Sequence, residues 1–326
     1  MLFNMRLLFI SILLLLPVFF HLGEIKSQDY PSHSISNGMI TAGIYLPDNE
    51  NGFYRASRFD WSGIIYELKY KGCDYLGPWY SKHNPSVNDA ICGPAEEFEE
   101  IGWYDEDNAD FLKIGVGGLR KLQTEKYDKF KLYEMTNPGK WTINRSDCKV
   151  QFIHEVENVS GYSYRYTKCI ELVNGSPKLL IKHTLENTGK KLIRTNVYNH
   201  NFFTIGHLPT NADVTVKFPE DAVRSIAYDK SNILNIDKNE IGFRRQLAAN
   251  ENVMLYSILG DSVTNGPIII ENRKLKAGVR IVSDTGYSTV HFWASERTYC
   301  PEPYIHIEVL PQNKISWEFE YTFYVK

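Results

Sequence analysis

Two short stretches of this chain carry residue types that suit proton transfer. The first is "RTNVYNHNFFTIG", Arg194 to Gly206, a β-rich segment whose centre holds Asn199, His200 and Asn201 among aromatics, where a core strand would carry aliphatics. Period-two alternation puts Asn196, Tyr198, His200 and Phe202 on one face, with Val197, Asn199, Asn201 and Phe203 on the other. An imidazole beside aromatic rings is the mixture a sugar pocket needs, with flat apolar faces for the ring and polar tips for hydroxyls. A histidine satisfied within the sheet is the plainer reading. The second stretch is "TYCPEPYIHIEVLP", in which Glu302 sits between Pro301 and Pro303. Each proline removes a backbone donor, so the segment is expected to leave the sheet interior and to present the carboxylate from a rigid bend.

A third group, "GFYRASRFDWSGII", crowds Arg55, Arg58, Asp60 and Trp61 ahead of a strand. An arginine fork can hold sugar hydroxyls and an indole can stack on a pyranose; a surface pair of Asp60 with either arginine is the bland alternative. "GPAEEFEEIGWYDEDNAD" gathers Glu96, Glu97, Glu99, Glu100, Asp105, Glu106, Asp107 and Asp110. Such a run is usually a solvated loop, from which a few side chains could bind calcium or sugar hydroxyls. Glu97, Tyr198 and Trp293 join Arg58 and Trp61 as the substrate-binding candidates.

The elements that must position these residues are strands. "SYRYTKCIELV", "KLLIKHTLE" and "KKLIRTNVYNHNFF" are separated by "NGSP" and "NTG", turn chemistry that suits an antiparallel meander. Similar segments recur at "GIIYELKY", "KVQFIHEV", "DVTVKF", "STVHFWA", "YIHIEVL" and "WEFEYTFYV", and helical periodicity is scarce. The fold class is therefore all-β. No linker or fixed-period repeat divides residues 28–326, which read as one large sandwich. The stretch from about Ser81 to Asp110 is expected to be a loop over one face of the sheet.

Composition narrows the function classes. The 326 residues are 43% hydrophobic and 13% aromatic, with a formal net charge of −3, so a substantial core can be buried and no basic surface points to nucleic acid. Arg6 precedes "LLFISILLLLPVFFHL", an apolar run shorter than the roughly 20 residues a membrane span needs. It reads as an export signal over residues 1–27, cut after Ser27, rather than as an uncleaved anchor. The mature chain would then be periplasmic or secreted, with no stable membrane insertion. Five cysteines are too few for a disulfide scaffold, and the odd count leaves at least one unpaired or intermolecular. No CxxC pair occurs, and "HEVEN" at His154 has Asn158 where a zinc-protease motif needs histidine, so metal-site patterns fail. "GVGG" at Gly115 lacks the features of a dinucleotide or phosphate loop and reads as a turn. Three Asn-x-Ser sequons, at Asn144, Asn158 and Asn174, matter only where exported proteins are glycosylated.

With these residues in view, "NVYNHNFFTIG" resembles the Asn-His-x-Tyr/Phe-Phe-Asn motif of aldose 1-epimerases, the galactose mutarotases. "CPEPY…VLPQNKISW" resembles the Glu-Pro segment, Pro-Gly-Glu and tryptophan of relatives that epimerise hexose 6-phosphates. "YRASRFDW" is a weaker match to the family's Asn-Arg segment, and the likeness spreads from about Asn37 to Tyr324. The resemblance implies a galactose-mutarotase-like β-supersandwich, mostly antiparallel, in which His200 is the general acid, Glu302 the general base and Arg58 the substrate-binding arginine. It implies an isomerase that interconverts α and β anomers of a reducing mono- or oligosaccharide, with no metal and no cofactor.

Two departures stand out: "CGPAEEF" replaces the family's His-Gly-Gly segment without a histidine, and Gln312-Asn313 replaces Gly-Glu. The first motivates a second reading, a non-catalytic carbohydrate-binding protein of the same fold. A third, a glycoside hydrolase or lyase, would draw an acid and a base from the acidic run. In the leading reading Glu302 must be ionised near ambient pH, and His200 must spend an appreciable fraction of time as imidazolium, favoured by a nearby carboxylate. The absence of a basic phosphate-binding run favours a neutral sugar.

Overall fold

Alternation is written plainly into the long strands. In Lys178–Asn187 every second side chain is buried, and Lys149–Val159 and Lys314–Val325 follow the same rule over most of their length. Such strands have one face to bury, and they do so as antiparallel neighbours in a ten-stranded sheet. The computed structural model describes residues 30–123, 126–219, 226–258 and 263–326. The proposed export signal, residues 1–27, lies outside the described residues.

Against the ten-stranded sheet stands a six-stranded one, in the order Ile226–Tyr228, Asn252–Tyr256, Thr289–Ser295, Thr298–Val309, Ile193–Asn201, Pro94–Phe98. A four-stranded sheet (Ser32–Ser36, Ile40–Tyr45, Ile64–Tyr70, Cys73–Leu76) joins it through an isolated bridge between Leu76 and Phe203. A three-stranded sheet of Asp110–Lys113, Gly117–Arg120 and Met135–Asn137 completes the strands. Every pairing between named strands is antiparallel, and the described residues contain no α-helix, only a three-residue 3₁₀ turn at Ile205–His207. No helix among the described residues is long and apolar enough to cross a membrane.

The two larger sheets meet through interdigitated rings. Phe98 packs on Tyr166 and Trp317 at centroid separations of 5.4 and 6.3 Å, and Phe203 lies 6.5 Å from Tyr321. One apolar cluster runs continuously between them. A second cluster, built around Phe59, Trp61, Trp103, Phe111 and Phe202, underlies the other face of Ile193–Asn201. The end of that strand, Val197 to Asn201, is consequently buried on both faces.

The stretch around Glu96 is not a loop over the sheet. Pro94–Phe98 is a fully buried strand paired with Ile193–Asn201, Glu96 opposite Asn199 and Glu97 opposite Tyr198. The charged residues belong inside because each finds a partner. Glu96 points between the sheets, where Lys168 and His183 of the ten-stranded sheet bind its carboxylate, the imidazole Nε2 at 3.0 Å, and Asn199 Nδ2 approaches at 3.4 Å. Lys168 also donates to the Ser62 carbonyl at 2.8 Å and lies 3.6 Å from Asp60. Burial opposes ionisation of Glu96, but Lys168 and His183 outweigh it and hold the carboxyl below its ordinary range.

The "GVGG" stretch is a turn, as its residues suggest. Gly115 has φ 76°, and a Cβ there would stand 2.3 Å from an Asp60 carboxylate oxygen, so glycine is required. All five cysteines are free.

Removing the cation should expose the cost of this buried cluster. Lys168→Met leaves Glu96 and Asp60 uncompensated, and the expected loss is about 3–5 kcal/mol in urea unfolding at neutral pH. A loss under about 1 kcal/mol would show that the cluster does not tie the sheets together.

Candidate functional site

The segment carrying Glu302 is a strand in the sheet interior, not a bend. Thr298–Val309 pairs along one side with Thr289–Ser295 and along the other with Ile193–Asn201. The prolines are tolerated for a specific reason. Tyr299 N–H reaches the Phe203 carbonyl, so alternation turns the nitrogens of Pro301 and Pro303 toward Ile193–Asn201 as well. The ladder on that side is interrupted between the Tyr198↔Tyr304 pair and the Phe203↔Tyr299 bridge, where those two donors are missing. Asn201 fills the gap with its side chain, donating from Nδ2 to the Pro301 carbonyl at 2.9 Å and to the Asn199 carbonyl at 3.2 Å. On the other side pairing with Thr289–Ser295 is unbroken.

The register carries across the gap and sets His200 directly opposite Glu302. Their side chains share one face, with Nε2 3.3 Å from Oε1. His200 and Glu302 are only 5% and 4% exposed, yet both reach a cleft of about 550 Å3. The imidazole stacks on Phe202 at 3.8 Å, Phe202 stacks on Trp79 at 5.6 Å, and Trp293 meets the imidazole edge-on at 5.7 Å. His200 Nδ1 is buried without a hydrogen-bond partner.

This environment reverses the charge states anticipated from the residues alone. Burial drives the imidazole well below its ordinary range, and the positive charges of Arg58 and Lys129 add to that. Burial pushes the Glu302 carboxyl up to about 7; Lys129 and Arg58 pull it down and Glu97 pushes it further up. Near neutral pH the pair therefore rests as neutral imidazole beside a carboxyl that still holds its proton about half the time.

Arg58 lines the cleft and is held from several directions. The N–H of Asp60 donates to the Glu96 carbonyl at 2.8 Å, docking the arginine segment on Pro94–Phe98 and bringing Arg58 beside Glu97. The guanidinium donates to Glu97 (Nε to Oε2, 2.7 Å), to the Tyr198 hydroxyl (3.1 Å) and to Asp89, and it lies over the rings of Phe59 and Phe130. Burial opposes the charge of Glu97, but Arg58, Lys113 and Lys129 outweigh it and hold the carboxyl at about 2.

Of the sequence candidates, His200, Glu302, Arg58 and Trp293 line the cleft. Glu97 and Tyr198 do not; they sit beneath Arg58, hydrogen-bonded to it and to each other. Trp61 is not a stacking platform either. Its indole donates to the Ala56 carbonyl at 2.8 Å and its ring is packed in the second cluster. Asp60 makes no pair with Arg55 or Arg58; its carboxylate accepts from Ser62 and Tyr166 in the interior. The acidic run does not supply a hydrolytic pair, because Glu96 and Glu97 project to opposite faces of one strand and both are bound to cations. Nor does it converge on calcium: among the described residues no group of three or more His, Cys, Asp or Glu side chains is placed to hold a metal ion.

Cleft residues not anticipated are Trp79, Asp89, Lys129, Phe130, Tyr228, Asn252, Met254, Tyr256, His291 and Tyr304. Two were within reach of simple alternation, since Tyr304 is two residues from Glu302 and His291 two from Trp293.

With the geometry in hand, comparison with solved structures identifies the fold as galactose-mutarotase-like. An aldose epimerase homologue from C. elegans superimposes with a TM-score of 0.54 at 14% identity, covering 91% of this chain and 100% of that one. A galactose mutarotase related enzyme from Lactobacillus acidophilus gives 0.52 at 12% identity over 90% and 97% of the two chains. A galactose mutarotase-like protein from Lactobacillus casei ATCC 334 gives 0.54 at 11%, over 90% and 100%. No protein-family model and no curated protein matches the sequence.

The raised carboxyl has a thermodynamic signature. Below pH 4.5 Glu302 is protonated whether folded or unfolded. As pH rises to 7 the unfolded chain ionises first, so the folded state loses relative stability, and the loss is complete above the folded value. Glu302→Gln is expected to gain about 1–3 kcal/mol over the parent at pH 8 and almost nothing at pH 4.5. Unfolding curves at both pH values read the difference, and a pH-independent effect would contradict the assigned shift.

Proposed function

We propose that the protein is a sugar isomerase that interconverts the α and β anomers of a neutral reducing sugar, with His200 and Glu302 as the proton-transferring pair. The observation that carries this reading is their 3.3 Å approach at the wall of an aromatic cleft. The named sugar epimerases and mutarotases among the structural neighbours support the same class.

Anomer exchange removes the proton of the C1 hydroxyl, protonates the ring oxygen, and reverses both after rotation about C1–C2. The enzyme accepts one proton and gives one, so the pair must carry one proton throughout. In the reactive arrangement Glu302 is carboxylate and His200 imidazolium. After ring opening Glu302 is protonated and His200 neutral, which is also the preferred resting form of the singly protonated pair. The environment thus matches the state that accompanies the open-chain aldehyde, the high-energy species on the path. Transfer of the single proton across the 3.3 Å contact prepares the reactive form. Arg58, fixed by Glu97, Asp89 and Tyr198, would present its cation to sugar oxygens. Trp79, Trp293 and Tyr304 would cover the apolar faces of the ring. Acid and base suffice for this chemistry.

We propose further that the chain acts outside the cytoplasm, on the strength of the apolar run between Arg6 and residue 27.

NMR exchange spectroscopy or polarimetry over a panel of neutral aldoses tests the activity. His200→Ala and Glu302→Gln are each expected to slow exchange by about 10²–10⁴-fold. The same rate in both variants and the parent across the whole panel would refute the proposal and leave a carbohydrate-binding protein. The pH profile is a separate check. Because the pair loses its proton above pH 7, kcat/KM should fall roughly tenfold per pH unit beyond that point. A profile still rising at pH 9 would be incompatible with this proton inventory.

A further inference from the structure

The proton-transferring pair occupies one end of the cleft, and the remainder is built along the outer strands of the six-stranded sheet. His291 stands opposite Glu302. One strand further out, Trp293 stands opposite Met254, which in turn stands opposite Tyr228 on the edge strand. Tyr256 packs on His291 at 5.4 Å, and Asn252 lies two residues from Met254 on the same strand face. From the strand of Glu302 to the edge strand there are three interstrand steps, about 14 Å in all. That distance extends well past one pyranose seated at His200 and Glu302.

The chemistry of this extension is distinctive. Tyr228 and Tyr256 are 42% and 46% exposed and stand together in the lining of the same cleft. Trp293 and Met254 are half-buried between them and the catalytic end. None of these four side chains is charged; Lys129 stands at the junction with the catalytic end and Lys230 lies over one side of the Tyr228 ring at 5.1 Å. Rings of this kind favour a neutral occupant along the outer strands. Polar tips are few and directional. His291 Nδ1 accepts the Ser257 N–H at 3.0 Å, which fixes the neutral tautomer with its proton on Nε2, leaving a donor at the junction of the two halves. Asn252 offers both a donor and an acceptor. Flat apolar surfaces with sparse hydroxyl partners, continued over several strand widths, suit a chain of neutral sugar rings.

We infer that the cleft takes the reducing end of a neutral oligosaccharide, its terminal ring at His200 and Glu302 and its next one or two rings along Trp293, Met254, Tyr256 and Tyr228. This rests on the anomer-exchange reading for the direction of the chain, but the extension can be tested without it.

The experiment compares neutral tetrasaccharides of glucose, galactose, mannose and xylose with the corresponding monosaccharides. Binding is measured by calorimetry with the full chain and with methyl glycosides, which cannot exchange anomers. At least one tetrasaccharide should bind tenfold or more tightly than its monosaccharide. Tyr228→Ala and Tyr256→Ala should each weaken that binding about three- to tenfold and leave the monosaccharide unaffected. Both side chains are solvent-exposed, so the variants are expected to fold, and their unfolding midpoints verify it. Equal or absent binding of all tetrasaccharides overturns the inference, as does tetrasaccharide binding indifferent to both substitutions. Exchange on the unsubstituted sugars separates the two ideas. Chain-length-dependent binding without exchange removes the isomerase and keeps the extension; exchange without a chain-length effect does the opposite.

Discussion

A carboxylate buried between two sheets constrains everything near the cleft. Glu96 leaves Pro94–Phe98 toward the interior and is met there by Lys168 and His183 from the facing sheet. Desolvating such a group is costly, and only the convergence of a cation, an imidazole and an amide makes the position tenable. That convergence admits one register. It sets Pro94–Phe98 against Ile193–Asn201, and strand alternation then obliges the neighbouring Glu97 to emerge on the opposite side. Two adjacent glutamates thereby do different work. One binds sheet to sheet, and the other holds Arg58 at the cleft wall.

The same economy governs the electrostatics of the cleft. Arg58 brings a permanent positive charge close to His200, and that charge helps keep the imidazole neutral. Glu97 and Asp89 take up most of it through direct contacts, so the cleft gains a rigid donor without a strong unbalanced field. Aromatic stacking around His200 excludes water from the pair and raises the cost of charge on both partners. A buried acid and a buried base, each disfavoured as an ion, rest as a neutral pair sharing one proton, and moving that proton to the imidazole carries the cost of two buried charges held close together.

Much of this was legible in the residues. Alternation through "NVYNHNFF" separated Tyr198, His200 and Phe202 from Asn199 and Asn201, and the structure keeps that division: the first set faces Arg58 and the cleft side, while Asn199 and Asn201 bond to Tyr321 in the core. The "NGSP" turn does join the antiparallel neighbours Tyr162–Leu172 and Lys178–Asn187, but the "NTG" segment ends the meander: it carries the chain across to the other sheet, where Ile193–Asn201 pairs with Thr298–Val309 and Pro94–Phe98. Three features depart from what local pattern implies, each for a physical reason. Two prolines argue against an interior strand, but each removes a donor on one side only, and Asn201 supplies a substitute there. A dense acidic run is normally solvated, but Glu96 and Glu97 have cations from distant segments that no local pattern reveals. Trp61 has the ring to stack on a sugar, yet its indole turns inward, donating to the Ala56 carbonyl and packing in the second cluster. The outer cleft, with Met254 and Tyr228, depends on the order of strands far apart in the chain and has no signature in any single window.

The proline pair also guards the assembly of the sheet. A slide of Thr298–Val309 by two residues along Ile193–Asn201 would preserve which face each side chain occupies, so hydrophobic patterning alone does not forbid it. Moving Pro303 opposite Val197, however, deprives the valine carbonyl of the N–H that Ile305 now offers there, and it draws Asn201 away from the Pro301 carbonyl that its amide caps. Misaligned pairings of this kind are thus penalised, and the residue that faces the imidazole is set by backbone donors and one capping amide as well as by hydrophobic pattern.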